Sequence, residues 1–301
     1  MAVRVWVGTD ATNIGEWNEP DNWVDATGAG GVAKPVADDD VYFVSGSQDV
    51  QADTVDDLDA LDSLNFGTKW TGSFVTDVNP TTGVTDDSTL AVAAINADVL
   101  NYANKIGAVG LDGTFPTVNV QATSTDSPAL KLDNCAITTL NITGGSGTVL
   151  LAATTTVTGG INVIGADALR LEIEPSTVVS TADITMDSGR IVCSEQIDTA
   201  VLYGGTLEMT NVDGTSNSIT IYKGNCKYKP TGAAILSNLT MYGGFFDMRG
   251  CNSTSHTITN TTLHAGSMLD ERNGLSNTIY TNPISLDGII KCDFGRVITV
   301  T

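Results

Sequence analysis

From residue 140 onward, apolar side chains fall at every second position in short runs, each run broken by a glycine. The unit reads apolar-x-apolar, about two residues, Gly, then x-apolar-x-apolar; copies include LNITGGSGTVLL, INVIGADALRLEI, AVLYGGTLEMT, ITIYKGNCKYK and LTMYGGFFDMR. Such alternation is the mark of a strand with one buried face. In Ala168–Glu174, Leu169, Leu171 and Ile173 point one way, and Arg170, Glu172 and Glu174 the other. The corner glycines are Gly145, Gly165, Gly189, Gly205, Gly224, Gly244, Gly266 and Gly288, at a mean step of about 20 residues. A repeat this short is one rung of a solenoid: two strands meeting at a corner, with the remaining residues climbing to the next rung.

The expected fold is therefore all-β, a single-stranded parallel β-solenoid (β-helix) with an N-terminal β-rich capping segment. Residues 1–45 form the Trp-rich cap or docking segment, with Trp6, Trp17 and Trp23 packed over the end of the stack. Residues 46–301 form the solenoid, loose to about 139 and regular from 140. The looser rungs are read at Leu64–Gly67, near Val99, at Val118–Val120 and at Leu130–Leu132. One helical patch is expected around Leu90–Lys105, where Ala and Leu cluster, although Asn96, Asn101 and Asn104 weaken it.

Stacking fixes a register. Three residues after successive corners stand Glu208, Lys227 and Asp247. With rungs roughly 4.8 Å apart they form an outward, exposed ladder of alternating charge. Leu207 and Met209, Cys226 and Tyr228, and Phe246 and Met248 then stack inward. Cys193, Cys226 and Cys292 also take inward positions, as small buried hydrophobes.

Composition agrees with this picture and narrows the chemistry. Threonine is the commonest residue, at 42 of 301, and glycine follows at 31. Acidic residues number 35 against 14 basic, a formal net charge of -21, which argues against nucleic acid and anionic lipid as partners. No apolar run is long enough to span a membrane, so no membrane insertion is expected. The start shows no secretory pattern, and five widely spaced cysteines without a CxxC pair suit a reducing cytoplasm.

No catalytic, cofactor-binding or metal residue is expected, and no cofactor. His256 and His264 are read as solvent-facing, with no cysteine at zinc-ligand spacing. Calcium candidates are the loop from Asp10, where Ile14 occupies a ligand slot, Asp38–Asp40, and the run Asp56, Asp57, Asp59 and Asp62; solvated charge is the preferred reading. Carboxylate pairs such as Glu172 with Glu174, or Asp247 with Asp270, have the makings of a glycosidase only if one pKa is raised.

The N-terminal pattern Trp6-x-Gly8, Trp17, Asn22-Trp23, Pro35 and Asp38-Asp-Asp-Val41-x-Phe43, followed by Thr/Asn/Gly-rich rungs such as Thr139–Ile142, carries a resemblance. It resembles β-helical virion structural proteins of tailed bacteriophages, with similarity to autotransporter-like surface solenoid modules. The resemblance implies a non-enzymatic structural protein of a phage particle, a capsid decoration or head-fibre component acting by surface complementarity. Its partners would be the major capsid protein or another virion protein, in a homo-oligomer with a trimer favoured. It would be made in the host cytoplasm and reside in the virion. The alternatives are a tail spike or receptor-binding protein that binds or cleaves host polysaccharide, and a bacterial surface adhesin.

Overall fold

The computed structural model describes residues 2–55, 61–75, 91–103, 108–122, 127–210, 212–230, 233–251, 255–272 and 277–292. The chain is nearly all β, 56% strand and 2% helix, and its parallel coils stack into a β-solenoid of about ten turns. It divides into two compact units, residues 1–156 and 157–301.

In the first unit, one parallel ladder runs through Val3–Trp6, Asp40–Gly46, Leu61–Trp70, Ala97–Tyr102, Thr114–Ala122 and Ala136–Gly145. A second runs through Val92–Ala94, Val109–Asp112, Leu130–Leu132 and Thr148–Leu151. The helix expected around Leu90–Lys105 is instead two strands, Val92–Ala94 and Ala97–Tyr102. The reason is tertiary: Leu100 and Tyr102 register with Leu64 and Phe66 on one side and with Val118 and Val120 on the other. Packing on both neighbours overrides the helix propensity of alanine and leucine.

Trp6, Trp17, Trp23, Phe43, Phe66, Trp70 and Phe74 are all buried in this unit. Phe43 stacks on Phe66 with ring centroids 5.0 Å apart, and the Trp23 indole N–H donates to the Trp17 carbonyl at 2.8 Å. Val3–Trp6 also pairs antiparallel with Trp23–Val24, which ties the segment holding Trp17 to the ladder. A polar ladder accompanies the aromatic one. Asn101 donates to Asn65, Asn119 to Asn101, and Asn141 to Asn119, at 2.8–3.0 Å. Identical amides stacked one rung apart satisfy one another's donors and acceptors along the axis.

In the second unit, the first ladder runs through Thr156–Val163, Asp183–Met186, Thr199–Leu202, Thr215–Ile221, Ile235–Met241 and Ser255–Leu263. Asn277–Tyr280 and Ser285–Leu286 both pair with that last strand. The second ladder runs through Arg170–Ile173, Arg190–Cys193, Thr206–Thr210, Asn225–Lys229, Gly244–Asp247, Ser267–Asp270 and Ile289–Lys291. Leu207, Met209, Cys226, Tyr228, Phe246 and Met248 are buried between the ladders. Cys193 is buried with them, whereas Cys292, also expected to point inward, is only half-buried.

Seven of the eight corner glycines have positive φ, Gly288 being the exception. Gly224 shows why no other residue fits: at φ +87° a Cβ would stand 2.5 Å from the Gly205 carbonyl oxygen. Close approach of successive corners, as well as backbone handedness, requires glycine there.

Candidate functional site

The Glu208–Lys227–Asp247 row has the expected register: Glu208 pairs with Lys227, and Lys227 with Asp247. The row continues to Asp270 and Lys291. Its exposure differs from the expectation. The side chains of Arg190, Lys227 and Arg249 are 42–47% exposed, but those of Glu208 and Asp247 only 8–10%. The carboxylates form a floor and the cations lie over it.

The local sequence builds this layering. Arg190 comes from the row beside Glu208 and donates to its Oε2 at 2.6 Å, while Lys227 donates to Oε1. Arg249 and Arg272 each stand two residues after an acid of the row. Arg249 grips Asp247 with Nε and Nη2, both at 2.9 Å; Arg272 grips Asp270 at 2.9 and 2.7 Å. Burial pushes the Glu208 carboxyl up, but hydrogen bonds and charge from Arg190 and Lys227 outweigh it and hold it below the ordinary range. Asp247 is likewise held down by Arg249 against the effect of burial, and Asp270 by its bonds to Arg272. Asp247 and Asp270 therefore have the opposite of the raised pKa a general acid needs.

Arg190, Thr206, Asn225, Lys227, Phe245 and Arg249 frame a shallow groove of about 450 Å³ above the Glu208 and Asp247 floor. The Arg249 guanidinium lies 5.4 Å from the centre of the Phe245 ring.

A second surface feature lies on the first ladder of the same unit. Tyr203, Tyr222, Tyr242 and His264 stack ring on ring, with centroids 5.0, 4.9 and 4.5 Å apart. The three tyrosines are exposed and His264 is half-buried. Beside this stripe run Val201, Thr220, Thr240 and Thr262, and then Thr199, Ser218, Asn238 and Asn260. Over these four rungs the three rows carry no carboxylate and no ammonium or guanidinium group; one rung earlier the last row reaches Asp183, which accepts from the Thr199 hydroxyl. The stripe was legible as an aromatic residue two positions before four successive corner glycines, Gly205, Gly224, Gly244 and Gly266, in Y-G-G, Y-K-G, Y-G-G and H-A-G.

His256, expected to face solvent, is buried instead: its Nε2 lies 2.9 Å from the Thr278 hydroxyl, and its ring packs edge-on to Tyr228. It falls at an inward position of Ser255–Leu263, two residues before Ile258, so the strand's alternation turns it in.

Among the calcium candidates, Asp10 shares a cluster with Glu19 and Asp21, carboxylate oxygens all within 4.8 Å of one another. Asp10 there accepts from the Thr12 backbone N–H at 2.8 Å, and Glu19 from the Asn13 side chain at 2.9 Å. Asp39 is buried and paired with Arg4 at 3.2 Å, and Asp40 accepts from the Ser63 hydroxyl. Asp56, Asp57 and Asp59 lie outside the described residues. Among the described residues, no helix is long and apolar enough to cross a membrane.

The fold defines a parallel β-solenoid protein with two differently built outer faces. The chain matches no family model, no curated protein and no solved structure.

Proposed function

We propose that this chain is a non-enzymatic structural component of a phage particle, a capsid decoration or head-fibre protein that works by surface complementarity. The observation that carries the structural role is an uncharged patch spanning four rungs of the second unit. On a chain of net charge -21, twelve side chains in three aligned rows bear no carboxylate and end in an exposed aromatic stripe. Such a face buries area on a flat partner without desolvating charge, which favours a long-lived contact over turnover of a substrate. The particle assignment rests on the resemblance of the Trp-rich N-terminal pattern and the Thr/Asn/Gly rungs. In this reading the partner is the major capsid protein or another virion protein, and the acidic remainder keeps densely displayed copies apart.

The test is antibody labelling of intact particles from the source, viewed by electron microscopy. Label spread over the head is expected. Label confined to the tail tip would favour the receptor-binding alternative, and finding the protein in no particle would overturn the assignment. A Tyr222→Ala, Tyr242→Ala double variant is expected to leave the fold intact and lower occupancy on the particle.

A further inference from the structure

We infer that the stripe of Tyr203, Tyr222, Tyr242 and His264 docks a proline-rich segment in the polyproline II conformation, with a basic residue at each end. The inference rests on the reading of this face as a docking surface and not on the particle assignment.

The stripe has defined ends. Asp187, Tyr203, Tyr222, Tyr242, His264 and Asp287 each donate the backbone N–H to the rung before in the same pattern, so they form one row. Four stacked rings are thus bracketed by two exposed carboxylates, neither of them in an ion pair among the described residues. Asp187 Oδ1 accepts from the Gly165 N–H at 2.8 Å and the Ser188 hydroxyl at 2.7 Å, which leaves Oδ2 for a ligand. Lys223, exposed beside Tyr222, places a cation at mid-stripe. A ligand's basic groups therefore belong at its two ends, and its middle is uncharged.

The middle suits a backbone with unused carbonyls. The exposed tyrosines have hydroxyls with no hydrogen-bond partner among the described residues. A polyproline II chain makes no internal hydrogen bonds, so its carbonyls are open to these donors, whereas a helix has used its own. Gly204 and Gly243 leave the corner flank of the stripe without side chains, so pyrrolidine rings can reach the aromatic rings there.

The period agrees. Two steps of the stack, at 5.0 and 4.9 Å, cover about one turn of polyproline II, three residues of about 3.1 Å each. An extended strand repeats like-facing side chains every 6.6–6.8 Å or so and falls out of step. From Asp187 to Asp287 is roughly 24 Å at the rung spacing, the length of about eight polyproline II residues. A second copy of the chain fits worse. Laid in register along the stripe, parallel or antiparallel, it sets Asp187 and Asp287 against carboxylates of a partner that also carries a net charge of -21.

The experiment is isothermal titration of the whole chain with a blocked peptide of about eight prolines between two arginines. Beside it run the same peptide with glutamates at the ends and one with arginine ends and a glycine–serine middle. The arginine-ended proline peptide is expected to bind at least about tenfold more tightly than either. Asp187→Asn with Asp287→Asn should bring the arginine-ended and glutamate-ended peptides together. Tyr222→Phe with Tyr242→Phe keeps the rings, removes two donors and should weaken binding about tenfold, with the melting temperature unchanged. If the tyrosine pair misfolds, the aspartate pair carries the test. No binding, equal binding of the glycine–serine peptide, or full binding by the folded variants would each overturn the inference. So would self-association, seen by sedimentation, that Tyr222→Ala abolishes, since a second copy would then hold the face. Tyrosine variants that lose particle occupancy, on a chain that binds no peptide, would leave the docking face standing and remove its proline-rich occupant.

Discussion

Asp247 and Asp270 occupy the same position on adjacent rungs, two carboxylates side by side, and the Arg249 Nε reaches both, at 2.9 and 3.9 Å. Like charges this close would ordinarily raise one pKa. Here both are lowered, because Arg249 and Arg272 clamp them. Lowered folded-state values mean that the stabilisation is present above the unfolded carboxylate range and is lost as pH falls through the folded values. Arg249→Met should therefore lower the melting temperature at pH 7, with the deficit shrinking as acid protonates the pair. A deficit equally large at pH 3 would show that Arg249 acts through packing on Phe245 instead.

Lys227 shares Glu208 with Arg190. Lys227→Glu would set four acids on successive rungs, from Glu208 to Asp270, with Arg190, Arg249 and Arg272 left to compensate, a cost of about 1–2 kcal/mol. Much of that should be recovered in high salt, because the groove is open to solvent. Urea titration at low and high ionic strength measures it; a neutral effect at low salt would mean that the row is not electrostatically coupled.

The corner glycines should not respond alike. At Gly165 (φ +64°) an added Cβ meets nothing within 4 Å, so Gly165→Ala should cost only backbone strain, about 1–2 kcal/mol. At Gly224 the same methyl runs into the Gly205 carbonyl, so Gly224→Ala should cost more than Gly165→Ala. Denaturation midpoints of the two variants check the order.

Thiol reactivity should follow depth in the stack. Burial pushes the Cys193 and Cys135 thiols up to about 12, and Cys226 higher still. Cys292 is only half-buried. Under native conditions at pH 7.5, iodoacetamide should modify Cys292 well before the other three, as peptide mass mapping would report. Early modification of Cys226 would indicate that the rung opens readily.

Much of the architecture was legible because a solenoid repeats its physics at short range. Each rung needs alternating apolar residues and a glycine corner, and both recur in the chain at a mean step of about 20 residues. That was enough to align Glu208 with Lys227 and Asp247, and to turn Leu207, Tyr228 and Phe246 inward. The strands at Val92–Ala94 and Ala97–Tyr102 escaped because local propensity there points to helix, and only the neighbouring rungs decide otherwise. His256 escaped because polarity suggests solvent, whereas its parity within the strand turns it into the core.

The sequence by itself determined the fold class, the rung period and the side of each strand that is buried, since these follow from residue spacing of two and from glycine at the corners. Only the tertiary structure decided how polar side chains on the outside divide the surface. Whether a row carboxylate is exposed depends on an arginine arriving from a neighbouring row or two residues further along the strand, as with Arg190 over Glu208 and Arg249 over Asp247. Whether aromatic residues about 20 positions apart make a continuous stripe depends on the register holding rung after rung. Both are contacts across rungs, set by how successive coils stack, and no single stretch of chain contains them.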